Sequence, residues 1–268
     1  MPDNWTKIHE FAQTTTNQVG QQLIQDFGQV QADSKADGSL VTQSDKWADK
    51  TIREAISSNF PSHGILTEEG NKVLPDTEWC WVVDPLDGTT NFTRGIPIWS
   101  ISLGLLYRGT PIFGYIYLPT LNETFHGYWE GTSGYSTPTG AFRNNHPIHT
   151  SNDTPSKHHF FNVCSRSTSV ITKDFPCKIR MLGAASYNFL TVATGAVIGS
   201  IEATPKIWDM AGAWPIVQAS GASWISLKSQ PFPATPGVDY SNISFPTVVL
   251  SNSLMLGVFK PFLANAEI

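Results

Sequence analysis

Cysteine is scarce in this chain. Its three cysteines, Cys80, Cys164 and Cys177, form no C-x-x-C pair. So few and so scattered, they exclude a disulfide framework and lead us to expect reduced thiols in a cytoplasmic protein. Charge is sparse too, at 15% of 268 residues, with 17 basic and 22 acidic side chains giving a formal net charge of -5. Without a broad basic surface to neutralise phosphates, nucleic acid is not an expected partner. No apolar run approaches the roughly 20 residues of a membrane span. The opening Met1-Pro2-Asp3-Asn4-Trp5-Thr6-Lys7 lacks an apolar core, so no membrane partner is expected either. Internal repeats are lacking.

What the chain does have is core material, with 40% hydrophobic residues and 12% aromatics. Ile8, Phe11, Ala12, Val19, Leu23 and Phe27 recur at helical intervals and predict a first helix. After the polar turn Ala36-Asp37-Gly38-Ser39, Trp47, Ala48, Thr51, Ile52, Ala55 and Ile56 mark a second helical face over Asp45 to Asn59, with Ser44 as its expected N-cap. Trp79 to Val83 reads as a buried strand that gives way to a turn at Asp84-Pro85. Ile98 to Tyr107, Ile112 to Leu118 and Thr124 to Trp129 predict an antiparallel meander. Tyr135 to Pro155 reads as loop and holds the expected boundary between a half over residues 1–143 and a half over 144–268. Strands at Phe160 to Cys164 and Ile198 to Glu202 alternate with helices at Ala185 to Thr194 and Asp209 to Ala219, which suggests an α/β second half. Gln230 to Asn242, with three prolines, reads as a surface loop before a strand at Thr247 to Leu250 and a terminal helix.

Four acids stand out by context: the pair Glu68-Glu69, then Asp84 and Asp87 in Asp84-Pro85-Leu86-Asp87-Gly88-Thr89-Thr90-Asn91-Phe92. Two carboxylates on a loop stiffened by Pro85 could converge on one hard cation, and without a His or Cys cluster the oxygen donors favour magnesium over zinc. Gly88, Thr89 and Thr90 follow at a possible helix start, where free N–H groups bind anions. By spacing alone the other reading is stronger, because Asp-x-x-Asp-Gly is an ordinary solvated turn.

The motif set decides between them. Thr67-Glu68-Glu69-Gly70, the Asp84 to Phe92 segment and Trp208-Asp209-Met210-Ala211-Gly212, in that order, resemble the inositol monophosphatase family. Lys35, Leu40-Val41-Thr42-Gln43-Ser44-Asp45 and Gly183-Ala184-Ala185 extend the likeness across nearly the whole chain. The resemblance implies a layered αβαβα sandwich with an α+β first half and an α/β second half. It implies a phosphomonoesterase acting on a small polyol or sugar phosphate, in the first place inositol monophosphate. Two or three magnesium ions would be held by Glu68, Asp84, Asp87, Asp209 and the Leu86 carbonyl. Thr89, supported by Asp45, and Glu68 would orient and deprotonate the attacking water. Gly88 and Thr89 would hold the phosphate, and Gly183, Ala184, Ala185 and Glu202 would contact the rest of the substrate. The resemblance further implies lithium sensitivity and a homodimer.

Two alternatives stay open. Fructose-1,6-bisphosphatase or another sugar phosphatase of the same family is one, and a non-catalytic metal- or phosphate-binding regulator is the other. Glu202 could equally be an exposed acid at a strand end, and Lys206 could recognise a second phosphate or simply be solvated. The chain departs from the family pattern at Ala211-Gly212-Ala213, where Ala-Ala-Gly is usual, and at Gln218-Ala219-Ser220-Gly221-Ala222. Both departures bear on helix packing more than on chemistry. The seven histidines and nine tryptophans are assigned to packing or surface.

Overall fold

The computed structural model describes residues 3–35, 38 and 40–263. Most of the polar turn expected at 36–39 (Ala36, Asp37 and Ser39) lies outside them. Helix α1 (Asp3–Asp26) buries Ile8, Phe11, Ala12, Val19 and Leu23, the face its periodicity predicts. Short strands β1 (Asp33–Ser34) and β2 (Leu40–Val41) pair before α2 (Gln43–Asn59). The N-cap of α2 is Thr42 and not Ser44, because Thr42 and Asp45 form a reciprocal capping box. Its inner stripe is Ser44, Asp45, Ala48, Asp49, Ile52 and Ile56, whereas Trp47 is exposed. Of the polar members of that stripe, Asp45 is held by the cap, Ser44 donates to Asp26 Oδ2 at 2.7 Å, and Asp49 Oδ2 accepts from Arg53 Nε at 2.7 Å, while Asp49 Oδ1 has no partner.

The first sheet contains β3 (Gly64–Thr67), β4 (Trp79–Asp87), β5 (Ser100–Tyr107), β6 (Thr110–Leu118), β7 (Glu123–Tyr128), β8 (Gly140–Arg143) and β9 (His146–Pro147), paired in that order. Apart from the parallel β3·β4 pair it is the antiparallel meander that the sequence predicts. Two expectations need correction. The Tyr135 to Pro155 loop is interrupted by β8 and β9, two short strands at the edge of the sheet, of four and two residues, too short to show an alternating pattern. Strand β4 does not stop at Val83 but runs to Asp87, with a register shift between Asp84, opposite Ser102, and Asp87, opposite Ser100. Helix α3 (Thr89–Thr93) follows.

The second sheet is mixed. Strands β10 (Phe160–Val163), β11 (Lys178–Arg180) and β12 (Gly199–Glu202) are parallel, and β13 (Ser223–Ser226) and β14 (Thr247–Leu250) complete it antiparallel, in the order β11-β10-β12-β14-β13. Helix α4 (Ala185–Ala193) packs against α6 and β12. The helix expected from Asp209 begins earlier and is broken at Gly212 into α5 (Ile207–Ala211) and α6 (Ala213–Ala219). A short α7 (Met255–Phe259) and a 3-10 turn (Lys260–Phe262) end the described chain.

These elements stack in five layers. Helices α1 and α2 cover one face of the first sheet, while α4, α5 and α6 lie between the sheets. On the far side of the second sheet, Phe259 and Leu263 pack on Phe161, Val248 and Leu250. The close approach of the middle layer comes from a glycine row. Gly104, Gly114 and Gly127 are register partners on β5, β6 and β7. A Cβ at Gly114 would lie 1.9 Å from the Gly212 carbonyl oxygen, and one at Gly104 would lie 2.5 Å from the Ala211 carbonyl carbon. The backbone of α5 and α6 therefore rests directly on the sheet. The departure at Ala211-Gly212-Ala213 fits this seat, since a Cβ at Gly212 would meet Ser102 Oγ at 2.4 Å.

Candidate active site

The seating of α5 carries Asp209 to the carboxyl end of β4. There the register shift does chemical service. In a regular strand, residues three apart point to opposite faces, and the bulge at Pro85-Leu86 brings Asp84 and Asp87 together instead. A carboxylate oxygen from each of Asp84, Asp87 and Asp209 lies within 4.8 Å of the others. All three line a cleft of about 530 Å3 between the layers.

Each acid is held by a hydrogen-bond donor. Leu86 N–H donates to Asp84 Oδ1 at 2.9 Å, and Lys206 N–H to Asp209 Oδ2 at 2.7 Å. Asp87 is bound from the opposite half: Ala185 N–H donates to Oδ1 at 3.1 Å, and Ser186 donates to Oδ2 through N–H at 2.8 Å and Oγ at 2.5 Å. Burial, then the neighbouring charges of Glu68, Asp87 and Asp209, drives the Asp84 carboxyl well above the usual range. Burial and the charges of Asp87 and Glu68 do the same to Asp209. Asp87 is raised by burial, against the pull of its Ser186 and Ala185 donors.

Glu68 lines the same cleft but lies outside the trio. Its Oε1 is 2.7 Å from Lys35 Nζ, and Lys35 also pairs with Glu69. Burial lifts Glu68 to about 7, with Lys35 opposing and Glu69 adding to the shift. The Leu86 carbonyl accepts from Thr89 Oγ1 at 3.2 Å, and Asp45 Oδ1 is an alternative acceptor for the same hydroxyl at 3.1 Å. The α2 cap explains how Asp45 comes to be there: Oδ2 accepts Thr42 N–H at 2.7 Å, which leaves Oδ1 for Thr89.

Gly88 has φ 94°, a left-handed conformation that suits glycine, and turns the chain from β4 into α3. Gly88, Thr89, Gly183, Ala184 and Ala185 all line the cleft, and Asn91 Nδ2 ties the two segments by donating to Ile98 O and Leu182 O, each at 2.7 Å. The N–H of Ala185 is spent on Asp87. Glu202 is 6% exposed, which overturns the exposed-acid reading; Asn188 Nδ2 donates to its Oε1 at 2.6 Å. Burial raises Glu202 to about 7. Lys206 is not free in solvent, since its Nζ donates to Ser241 O at 3.0 Å. Neither Ser186 nor Asn188 is marked by any local sequence pattern as part of a site. An Ala184 N-cap with no capping side chain is the one signal that α4 needs an outside acceptor.

A second cavity, larger at about 720 Å3, is lined by Trp5, His9, His126, Tyr128 and Thr137 among others and shares no residue with the cleft. Volume alone would direct attention there, but the convergent acids are elsewhere. All three cysteines are free thiols, and no helix among the described residues is long and apolar enough to cross a membrane.

An all-oxygen trio of carboxylates in an interlayer cleft, two buried and one half-buried, is a site suited to a hard divalent cation and to phosphoryl chemistry. The comparisons agree. Residues 2–253 match the model of the inositol monophosphatase family. A fructose-1,6-bisphosphatase/inositol-1-monophosphatase of Aquifex aeolicus is 31% identical over 86% of this chain and 89% of its own length. A putative Nus factor SuhB of Neisseria meningitidis serogroup A is 34% identical over 76% of this chain and 80% of its own. The solved structure of a Thermotoga maritima IMPase superposes with a TM-score of 0.79 at 26% identity, covering 95% and 96% of the two chains. The chain belongs to the inositol monophosphatase family, and it is a phosphatase, a phosphoric monoester hydrolase.

Proposed function

We propose that this phosphatase hydrolyses the monoester of a small polyol or sugar, in the first place inositol monophosphate, with magnesium as its metal. The convergence of Asp84, Asp87 and Asp209 carries the reading, because three carboxylates this close together without a cation would repel a phosphate dianion. We assign these three, with Glu68 and the Leu86 carbonyl, as the donors for two or three magnesium ions. Bound magnesium supplies Lewis-acid chemistry, offsetting charge on the phosphoryl and leaving oxygens.

The remaining roles belong to the chain itself. Thr89 Oγ1 has one proton and two acceptors for it, Asp45 Oδ1 and Leu86 O, so its lone pairs are left to accept from the attacking water. The proton taken from that water passes towards Asp45 Oδ1, whose carboxyl is raised by burial and is a better base than an exposed aspartate. Gly88 and Thr89 N–H groups, at the start of α3 and without intrahelical partners, hold the phosphate. Gly183 and Ala184, with Ala185 beside them, border the ring, and Glu202 accepts from its hydroxyls through the oxygen that Asn188 leaves unused.

The Aquifex relative's name supports a sugar bisphosphate as the second substrate to try. The Neisseria relative's name raises a part in transcription; against a nucleic-acid partner stands the net charge of -5. A non-catalytic regulator is disfavoured because every assigned carboxylate is present. Family membership supports lithium inhibition, a homodimer and a cytoplasmic location as parts of the same proposal. The test is phosphate release from inositol, sugar, nucleotide and histidinol phosphates, with magnesium and with excess chelator. The reading expects the polyol and sugar esters to lead and chelator to stop turnover. Preference for nucleotide or histidinol phosphate would overturn the substrate, and full turnover in chelator would overturn the metal.

A further inference from the structure

We propose that Ser186, backed by Ser100, is a positioning residue for Asp87: the two hydroxyls form a relay that aims the carboxylate for cation binding. The inference rests on the reading of Asp87 as a metal donor. The other two acids of the trio are each held by a backbone N–H within three residues in sequence. Asp87 alone is held by a side-chain hydroxyl, and that hydroxyl comes from 99 positions away, on α4 in the other half of the chain.

The geometry gives the relay a direction. An ionised Asp87 can only accept, so the single Ser186 hydroxyl proton goes to Oδ2 at 2.5 Å. Ser100 Oγ lies 2.8 Å from Ser186 Oγ and must then be the donor to it. Ser100 is also the cross-strand register partner of Asp87 on β5, so Asp87, Ser186 and Ser100 close a triangle. Both serines are fully buried, where a hydroxyl is costly unless it is bonded and where successive hydrogen bonds strengthen one another. The same carboxylate takes the N–H groups of Ala185 and Ser186 and so caps α4, whose own N-cap residue Ala184 has no capping side chain. The helix end and the metal donor thereby fix each other.

The experiment is calorimetric titration of magnesium into the metal-free, full-length protein, comparing wild type with Ser186→Ala, Ser100→Ala, Ser102→Ala and Asp87→Asn. Loss of an outer hydrogen-bond partner should weaken magnesium binding about 10-fold in Ser186→Ala. Ser100→Ala, which leaves every contact of Asp87 intact, should weaken it by less, roughly 2- to 5-fold. Ser102, on the same strand and equally buried but with an unbonded hydroxyl, is the control for general damage and should bind as wild type. The kcat at saturating magnesium should stay within about 3-fold for both relay variants, placing the loss in metal requirement. Wild-type affinity in Ser186→Ala beside weakened Asp87→Asn would overturn the relay. If Ser186→Ala does not fold, Ser100→Ala decides by the same comparison. Wild-type affinity in Asp87→Asn would overturn the donor reading beneath it, and the relay with it.

Discussion

The cleft and the second cavity solve opposite electrostatic problems. In the cleft, acids crowd each other, and burial pushes Asp84, Asp87, Asp209, Glu68 and Glu202 upward. In the cavity, His9 and His126 face each other with ring centroids 4.5 Å apart, and burial pushes both downward, His126 to about 4. The imidazoles escape repulsion by staying neutral at pH 7. On the proposed reading the aspartates of the trio take a phosphate ester only with a cation between them, whereas the histidine cavity has no such requirement.

The comparison breaks most sharply if acids of the trio can be neutralised without loss. Asp84→Asn and Asp209→Asn should each lower kcat/KM by about 10²- to 10³-fold, read as phosphate release. His126→Gln should stay within about 2-fold of wild type. Thr89→Ala comes next: kcat should fall about 100-fold while calorimetry shows magnesium affinity retained, because an orienting hydroxyl acts mainly in the transition state. Glu202→Gln should cost about 10- to 150-fold in kcat/KM on inositol monophosphate and little on a simple alkyl or aryl phosphate. Equal losses on both esters would remove Glu202 from the substrate site.

The smallest effect is on stability, where the two regions should tilt the pH profile of the metal-free protein in opposite directions. Glu202 titrates near 7 when folded and near 4.5 when unfolded, so its stabilising contribution is complete below about 4.5 and is lost as pH rises through 7. His126 titrates near 4 when folded and near 6.5 when unfolded, so its contribution is complete above 6.5 and is lost as pH falls towards 4. Thermal melts of Glu202→Gln should flatten the decline on the neutral side, and those of His126→Gln the decline on the acid side, each by a few degrees, roughly 2–8 °C. Parallel profiles for both variants would contradict the assignment.

Much of this site was legible before the fold was known. Asp84, Asp87, Asp209 and Thr89 stand in motifs, and the two main helices and the meander follow from periodicity. The parts that were not legible depend on distance in space. The bulge that turns Asp84 and Asp87 to one side is set by pairing with β5, which no local pattern announces. Gly104, Gly114 and Gly127 look unremarkable until the register aligns them under α5 and α6. Ser186 and Asn188 look like ordinary helix residues until α4 is placed between the halves, where it meets Asp87 with its first turn and Glu202 with its second. Burial of Glu202 removes it from the surface acids, and burial is a property of the whole fold.

The most direct test of the central claim, that the crowded carboxylates demand a cation, is the melting temperature of the chelator-stripped protein at pH 7.5 with and without magnesium. Binding at about 100 times Kd contributes about 2.7 kcal/mol, which corresponds to an upward shift of roughly 5–10 °C. The account predicts that shift for wild type. It also predicts that the Asp84→Asn, Asp209→Asn double variant melts higher than metal-free wild type and does not respond to magnesium. A wild-type protein whose melting temperature magnesium leaves unchanged, or a double variant that still gains several degrees, would contradict it.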